Sequence, residues 1–331
     1  MSYRKKEEKG NSRSAVKASG SRAVAAGGDI EIAVTGDHNF SVVQHAHDST
    51  IVSADVLVSP QNAGDPTNLS NLPRVPRLFV GRQKSLQLID NALREERIPA
   101  VAICGLGGIG KSTLAAYWSA THGKECNLVW WVTADTESAI QSGLANLSLS
   151  LQPALGQILT HDALANWALQ WLATHQRWIL VLDNVTDAAH VQPILSHLGN
   201  GRCLITTRRF SGWHDTASLI KVGVLESNEA VELFSHISQQ SSPMGDVAAL
   251  CESLGHLPLA VEQVAAFCLE SGTTARDYLD MLTEHPAELY DAGPEGGDAE
   301  RTIARIWNIT LEKLAIDPLS INNKGHLLVR C

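Results

Sequence analysis

The sequence predicts an α/β fold, a parallel sheet covered by helices on both faces, followed by a small all-α bundle and preceded by a β-prone N-terminal extension. Two patterns carry that prediction. Between residues 78 and 225, short and almost wholly apolar runs alternate with longer helical stretches. After 226 the apolar spacing becomes purely helical. A third observation fixes the register of the first part: a glycine-rich stretch at 105–113 stands where the first apolar run gives way to a helix.

Taken in chain order, residues 1–27 are small and polar, and seven Lys/Arg against two Glu fall within 1–22. This predicts a disordered basic tail of net charge +5, leaving −14 on the rest of a chain whose total is −9. Such an acidic body speaks against a nucleic-acid partner. In the segment 28–58, Asp29-Ile30-Glu31-Ile32-Ala33-Val34 alternates at strand period. Gly36-Asp37-His38-Asn39 is turn material, and Phe40-Ser41-Val42-Val43 resumes the alternation. Two readings stay open: a small hairpin or sticky linker, and a self-associating β-segment. Residues 59–77, rich in Pro, Asn and Gly, read as a linker.

The sheet domain at 78–225 takes its strands from the apolar runs Ala100–Cys104, 128–132, 178–182, 203–206 and 219–222. The bundle at 226–290 follows from helical stripes: Ala230, Leu233, Phe234 and Ile237; Val247, Leu250, Cys251 and Leu254; Ala275, Tyr278, Leu279 and Leu282. A further helix is expected over 258–269, with Pro258 at its first turn. In 291–331 a last helix places Ile303, Trp307, Thr310, Leu311 and Leu314 inward, and no periodicity follows it.

Composition excludes several classes. With 331 residues, 44% hydrophobic and 18% charged, the chain is of globular type. No run approaches the ~20 apolar residues of a membrane span, and no apolar stretch follows the charged first ten residues, so neither a membrane partner nor a secretory leader is expected. The cysteines at 104, 126, 203, 251, 268 and 331 show no paired spacing, which predicts reduced, buried thiols and a cytoplasmic location. His45 and His47 could bind a metal, but no partner ligands are identifiable and solvated loop histidines are the simpler reading. No nucleophile elbow accompanies any histidine.

The chemistry concentrates in Gly105-Leu106-Gly107-Gly108-Ile109-Gly110-Lys111-Ser112-Thr113, which fits G-x-x-x-x-G-K-[ST] between an expected strand and an expected helix at 112–120. Glycines allow successive backbone N–H groups to face phosphate oxygens, and the helix N-terminus adds positive potential. Lys111 would meet the β and γ phosphates, and the Ser112 hydroxyl would ligate Mg²⁺. Asp183, at the end of the apolar run 178–182, supplies the second oxygen for the ion. Asn184 follows it, and an amide can orient water but cannot accept its proton, so slow hydrolysis is expected. Arg208 ends the run that carries Thr206 and Thr207; it reads either as a γ-phosphate contact or as a surface cation beside Arg209. No [NT]KxD and no LSGGQ-like stretch follows, which disfavours a GTPase and a transporter ATPase.

Taken together, the phosphate loop, Leu180-Val181-Leu182-Asp183-Asn184, Ile205-Thr206-Thr207-Arg208 and Gly255-His256-Leu257-Pro258-Leu259-Ala260 resemble the NB-ARC module of the STAND class of P-loop NTPases, bacterial signalling members included, over about residues 76–315. Phe79-Val80-Gly81-Arg82 is similar to the motif that opens the module and lines its adenine pocket; Gln83 departs from the glutamate usual there. The resemblance implies that Val80, Arg82 and Pro258 flank the base and that Arg208 senses the γ-phosphate. It implies an ATP/ADP-controlled switch that self-associates in its ATP form, with an unspecified downstream effector. It also implies that 291–331 holds only the start of a winged-helix unit, as in a shortened member. The alternatives from other classes are a continuously cycling P-loop ATPase or kinase, and an interaction scaffold with a vestigial site.

Overall fold

The computed structural model describes residues 59–94 and 100–284 except 197 and 215, together with 33–34, 41–42, 302–304 and 306. The basic tail 1–27, most of the segment 28–58 including His45 and His47, and residues 307–331 lie outside the described residues. Within 28–58, β1 (Ala33–Val34) and β2 (Ser41–Val42) pair antiparallel with Val34 opposite Ser41. That pairing follows the hairpin reading of the alternation.

The segment 59–77, expected to be a linker, carries short regular structure. It contains a 3-10 turn at Pro60–Asn62 and an edge strand, β3 (Leu69–Ser70). The Leu69 N–H donates to the Asn127 carbonyl at 3.0 Å, and the Asn71 side chain bonds both the N–H and the carbonyl of Trp131. Two residues of strand are too few to leave a periodic signal, and one asparagine side chain stands in for the missing backbone ladder.

The α/β part continues as α1 (Gln83–Arg94), β4 (Ala100–Cys104), α2 (Lys111–His122), β5 (Leu128–Thr133), α3 (Glu137–Leu151) and α4 (His161–Thr174). It closes with β6 (Gln176–Val185), α5 (Ala188–Leu195), β7 (Asn200–Thr207) and β8 (Ser218–Lys221). The strands pair parallel in the order β3-β5-β6-β7-β4-β8. Alternation explains the apolar runs. Val101 and Ile103 pack with Leu114 and Trp118 of α2 and Ile89 of α1, while Ala100, Ala102 and Cys104 face the side covered by Leu147, Trp167 and Trp171 of α3 and α4. With helices on both faces, every position of the central strand β4 is buried. Side-chain oxygens of Thr136, Thr160 and Asp187 cap α3, α4 and α5, which is why those helices start where they do.

Beyond the sheet, α6 (Ser227–Ser238), α7 (Met244–Ser253), α8 (Pro258–Ser271) and α9 (Ala275–Glu284) bury the expected stripes around Phe234, Leu250, Val261 and Tyr278. Ile306, 2% exposed, joins the same core, so the helical residues after 300 take part in the packing of the bundle. Cys104, Cys126, Cys203, Cys251 and Cys268 are buried free thiols. Burial pushes the Cys251 and Cys268 thiols up to about 12, so they are inert at neutral pH. Among the described residues no helix is long and apolar enough to cross a membrane, and no group of three or more His, Cys, Asp or Glu is placed to hold a metal ion.

Candidate functional site

In a parallel sheet all strand C-termini share one edge, and a crevice opens where the strand order reverses. Here that place is β4: the chain leaves it for β5 on the far side of β6 and β7, then returns past it from β7 to β8. The glycine-rich loop follows β4, Asp183 lies near the end of β6, and Arg208 follows β7. Topology therefore gathers the predicted residues from three strands onto one edge.

The loop is framed by backbone bonds, Gly105 N–H to the Thr207 carbonyl at 3.3 Å and Val222 N–H to the Cys104 carbonyl at 2.8 Å. Gly105 has no room for a side chain, since a Cβ would stand 2.6 Å from the Val222 carbonyl oxygen. Gly107 lies beside the Arg208 guanidinium, 3.3 Å from where its own Cβ would be. Gly108 and Gly110 hold φ of +70° and +86°, and Gly110 is the N-cap of α2. Left-handed residues at those points turn the chain so that α2 begins at the loop's mouth with its positive end toward it. Ile109 is buried under the loop, and Thr113 sits half-buried in the first turn of α2.

Lys111 folds over the loop, its Nζ donating to the Leu106 carbonyl at 2.8 Å. Its ammonium is held below the usual lysine range, first by burial and then by the nearby Arg208 cation, while Asp183 acts in the opposite direction. An anion in this place would offset both depressing effects by its charge. The Ser112 hydroxyl donates to Asp183 Oδ1 at 2.7 Å, and the Thr206 hydroxyl donates to the same oxygen at 2.6 Å. Asn184 has φ +64° and donates its N–H to Thr206 Oγ1 at 2.8 Å, with its side chain exposed. A break in the β6–β7 register between Leu182 and Val185 produces this turn. A hydroxyl and a carboxylate, both hard oxygens 2.7 Å apart, fit Mg²⁺ as a donor pair.

Val80, Arg82 and Pro258 come from two directions. Val80 is buried, and Arg82 donates from Nη2 to the Ile109 carbonyl at 2.9 Å and from Nη1 to the Gly223 carbonyl at 2.5 Å. Its guanidinium thus braces the loop from behind. Pro258 Cγ lies 4.0 Å from the Cβ position of Gly110, and the Leu259 N–H donates to the Gly108 carbonyl at 3.2 Å. Ile303 Cδ1 comes within 3.0 Å of the Cβ position of Gly108. The loop residues 105–113, Asp183, Asn184, Arg208, Arg82 and Pro258 thus lie at or beside this edge, while Val80 is buried two positions before Arg82. Two contributors that stand inside the quoted motifs were not singled out: Thr206 and Leu259. Thr206 could have been found in the polar pair that interrupts an apolar strand; Leu259 acts through its backbone, which leaves no mark in sequence.

Comparison with known proteins gives a family match. Residues 82–243 match the NB-ARC domain. A nucleotide-binding leucine-rich repeat (NLR)-like protein of Hyaloscypha variabilis is 25% identical over 232 residues, covering 61% of this chain and 23% of that protein. The regulatory protein AfsR of Streptomyces griseus is 29% identical over 213 residues, covering 60% of this chain and 21% of its own length. Of solved structures, the signal transduction ATPase with numerous domains (STAND) protein with a tetratricopeptide repeat sensor from Pyrococcus horikoshii is 21% identical, with a TM-score of 0.43 over 66% of this chain and 34% of that one. The chain spans less than a quarter of the length of these curated relatives.

Proposed function

We propose that this chain, which belongs to the NB-ARC family of P-loop NTPases, is an ATP/ADP-controlled switch in signalling. Nucleotide binding follows from the family; the base, the ion and the switching are this proposal. The observation that carries it is the hydrogen bond from the Leu259 N–H at the start of α8 to the Gly108 carbonyl in the middle of the phosphate loop. Whatever the loop does on taking a phosphate is felt directly by the bundle.

In this reading the N–H groups of 105–113 and the Lys111 ammonium hold the phosphates, and Lys111 exchanges the Leu106 carbonyl for a phosphate oxygen. Ser112 and Asp183 would hold Mg²⁺, which supplies neutralisation of phosphate charge. Val80 and Pro258 flank adenine. Arg208, beside Gly107, contacts the third phosphate of ATP, and that contact is absent with ADP. A nucleotide can shift the two states only by its difference in affinity for them, and a full switch needs about 5.5 kcal/mol. Asn184 orients water without accepting its proton, so ATP persists. The ATP form self-associates and presents its other segments to an effector.

The test is to denature purified protein and identify the released nucleotide by chromatography, then follow phosphate release in multiple turnover. Stoichiometric ADP, lost in Lys111→Ala, with release slower than about one per minute, is the expected result. Rapid steady cycling would replace the switch by a turnover enzyme, and absence of any adenine nucleotide binding would refute the reading.

A further inference from the structure

We infer that Glu229, in the first turn of α6, is a positioning residue of the nucleotide site: through Arg82 it ties the phosphate loop to the bundle. This rests on the nucleotide-binding reading above and adds to it a residue outside every motif that led there.

The backbone at Gly81 and Arg82 is left-handed twice in succession, with φ of +68° and +65°. Glycine accepts that conformation, but a residue with a long side chain is disfavoured in it. Arg82 must therefore be held there by its surroundings, and the Glu229 carboxylate does so. Its Oε1 accepts the Arg82 N–H at 3.2 Å, and its Oε2 accepts the Glu226 N–H at 2.9 Å, completing the capping box of α6. The carboxylate is seated against Gly81 so closely that a Cβ there would meet Glu229 Cδ and Oε1 at 2.2 Å. Gly81 and Glu229 are thus a matched pair.

The consequence is felt at the other end of Arg82. With its backbone fixed by α6, the guanidinium reaches the Ile109 carbonyl of the phosphate loop and the Gly223 carbonyl on the way from β8 to α6. Two separate segments meet on this side chain, and a helix of the bundle holds the backbone that carries it. The guanidinium is partly buried, and Glu229 is the carboxylate that favours its charge. The requirement for a carboxylate is specific. Both oxygens accept from N–H groups, so an amide would turn an NH₂ toward one of them.

A helix cap alone would stabilise α6 without reference to nucleotide, and a double-mutant cycle separates the two roles. The affinity of a fluorescent ADP analogue is measured for the parent chain, Glu229→Ala, Arg82→Ala and the double variant, each with a thermal melt. Loss of about tenfold in Glu229→Ala is expected, with the double variant no weaker than Arg82→Ala within twofold. Glu229→Gln should lie between, at about threefold. Losses that multiply in the double variant, or unchanged affinity in Glu229→Ala, would overturn the inference. Should truncation prevent folding, Glu229→Gln decides: a lowered melting temperature with parental affinity leaves only the cap. A parent chain that binds no analogue would instead refute the proposed function, and this inference with it.

Discussion

At the carboxyl edge of the sheet, polar groups satisfy one another at close quarters, whereas the bundle is filled almost entirely by hydrocarbon. Ser112 and Thr206 share one oxygen of Asp183, Lys111 leans on its own loop, and Arg82 binds two carbonyls. In the bundle, Phe234, Leu250, Val261 and Ala265 are wholly buried. The difference teaches how a ligand can act on this chain. Hydrogen bonds at the edge can be exchanged for bonds to phosphate at little net cost, because each partner is satisfied before and after. Close-packed hydrocarbon offers no such exchange and moves as a block. Contacts between the two regions include Leu259 and Ile303 with Gly108, Pro258 with Gly110, and Glu229 with Arg82, and the proposed switch would act through them.

Four substitutions sharpen that contrast, beginning with the largest effect. Phe234→Ala should cost about 3–5 kcal/mol, as for a fully buried aromatic, and should split chemical denaturation into two transitions with the sheet unfolding last. A single shared transition would show the two regions to be one cooperative unit. Lys111→Ala should weaken ADP binding by about 100-fold, the worth of a charge-assisted bond to phosphate, with little change in melting temperature. Its pH dependence carries the same information. Lys111 is held below its ordinary pKa, so affinity is full while it is protonated and falls as pH rises through that lowered value, before free lysine would titrate; calorimetry from pH 7 upward measures this.

Gly108→Ala introduces a side chain where φ is +70° and where Leu259 and Ile303 stand 3.3 and 3.0 Å away. A loss of about 1–2 kcal/mol is expected from the left-handed conformation alone. Because the new methyl points at the bundle, ADP should also stabilise α8 less in this variant, read by amide exchange. Thr136→Ala, which removes a cap far from the site, should cost about 1 kcal/mol and leave ADP affinity as it was. Reduced affinity there would mean that general stability, and not the contacts named above, governs binding.

The bundle and the sheet were legible in sequence for different reasons. Apolar stripes at helical spacing predicted the faces of α6, α7 and α9 down to Phe234, Cys251 and Tyr278, because burial on one side leaves that period. The strands of the sheet were found as runs, since both faces are covered, and the phosphate loop as a motif, since its turn needs glycines at fixed offsets. What escaped prediction leaves no period and is not spelled out by a motif, even where, as at Leu259, the residue stands inside one. β3 is held by the side chain of Asn71, the Leu259 contact is made by a backbone amide, and Glu229 meets Arg82 across 147 positions of sequence. Contacts of that kind depend on the packing of whole elements, which local sequence does not encode.

The direct test of coupling between loop and bundle is amide hydrogen exchange of the full chain with and without ADP. Slower exchange both in 105–113 and at Leu259 and its neighbours at the start of α8 is the expected result. Protection that stops at the sheet, with the Leu259 amide exchanging as fast with ADP as without it, would contradict it.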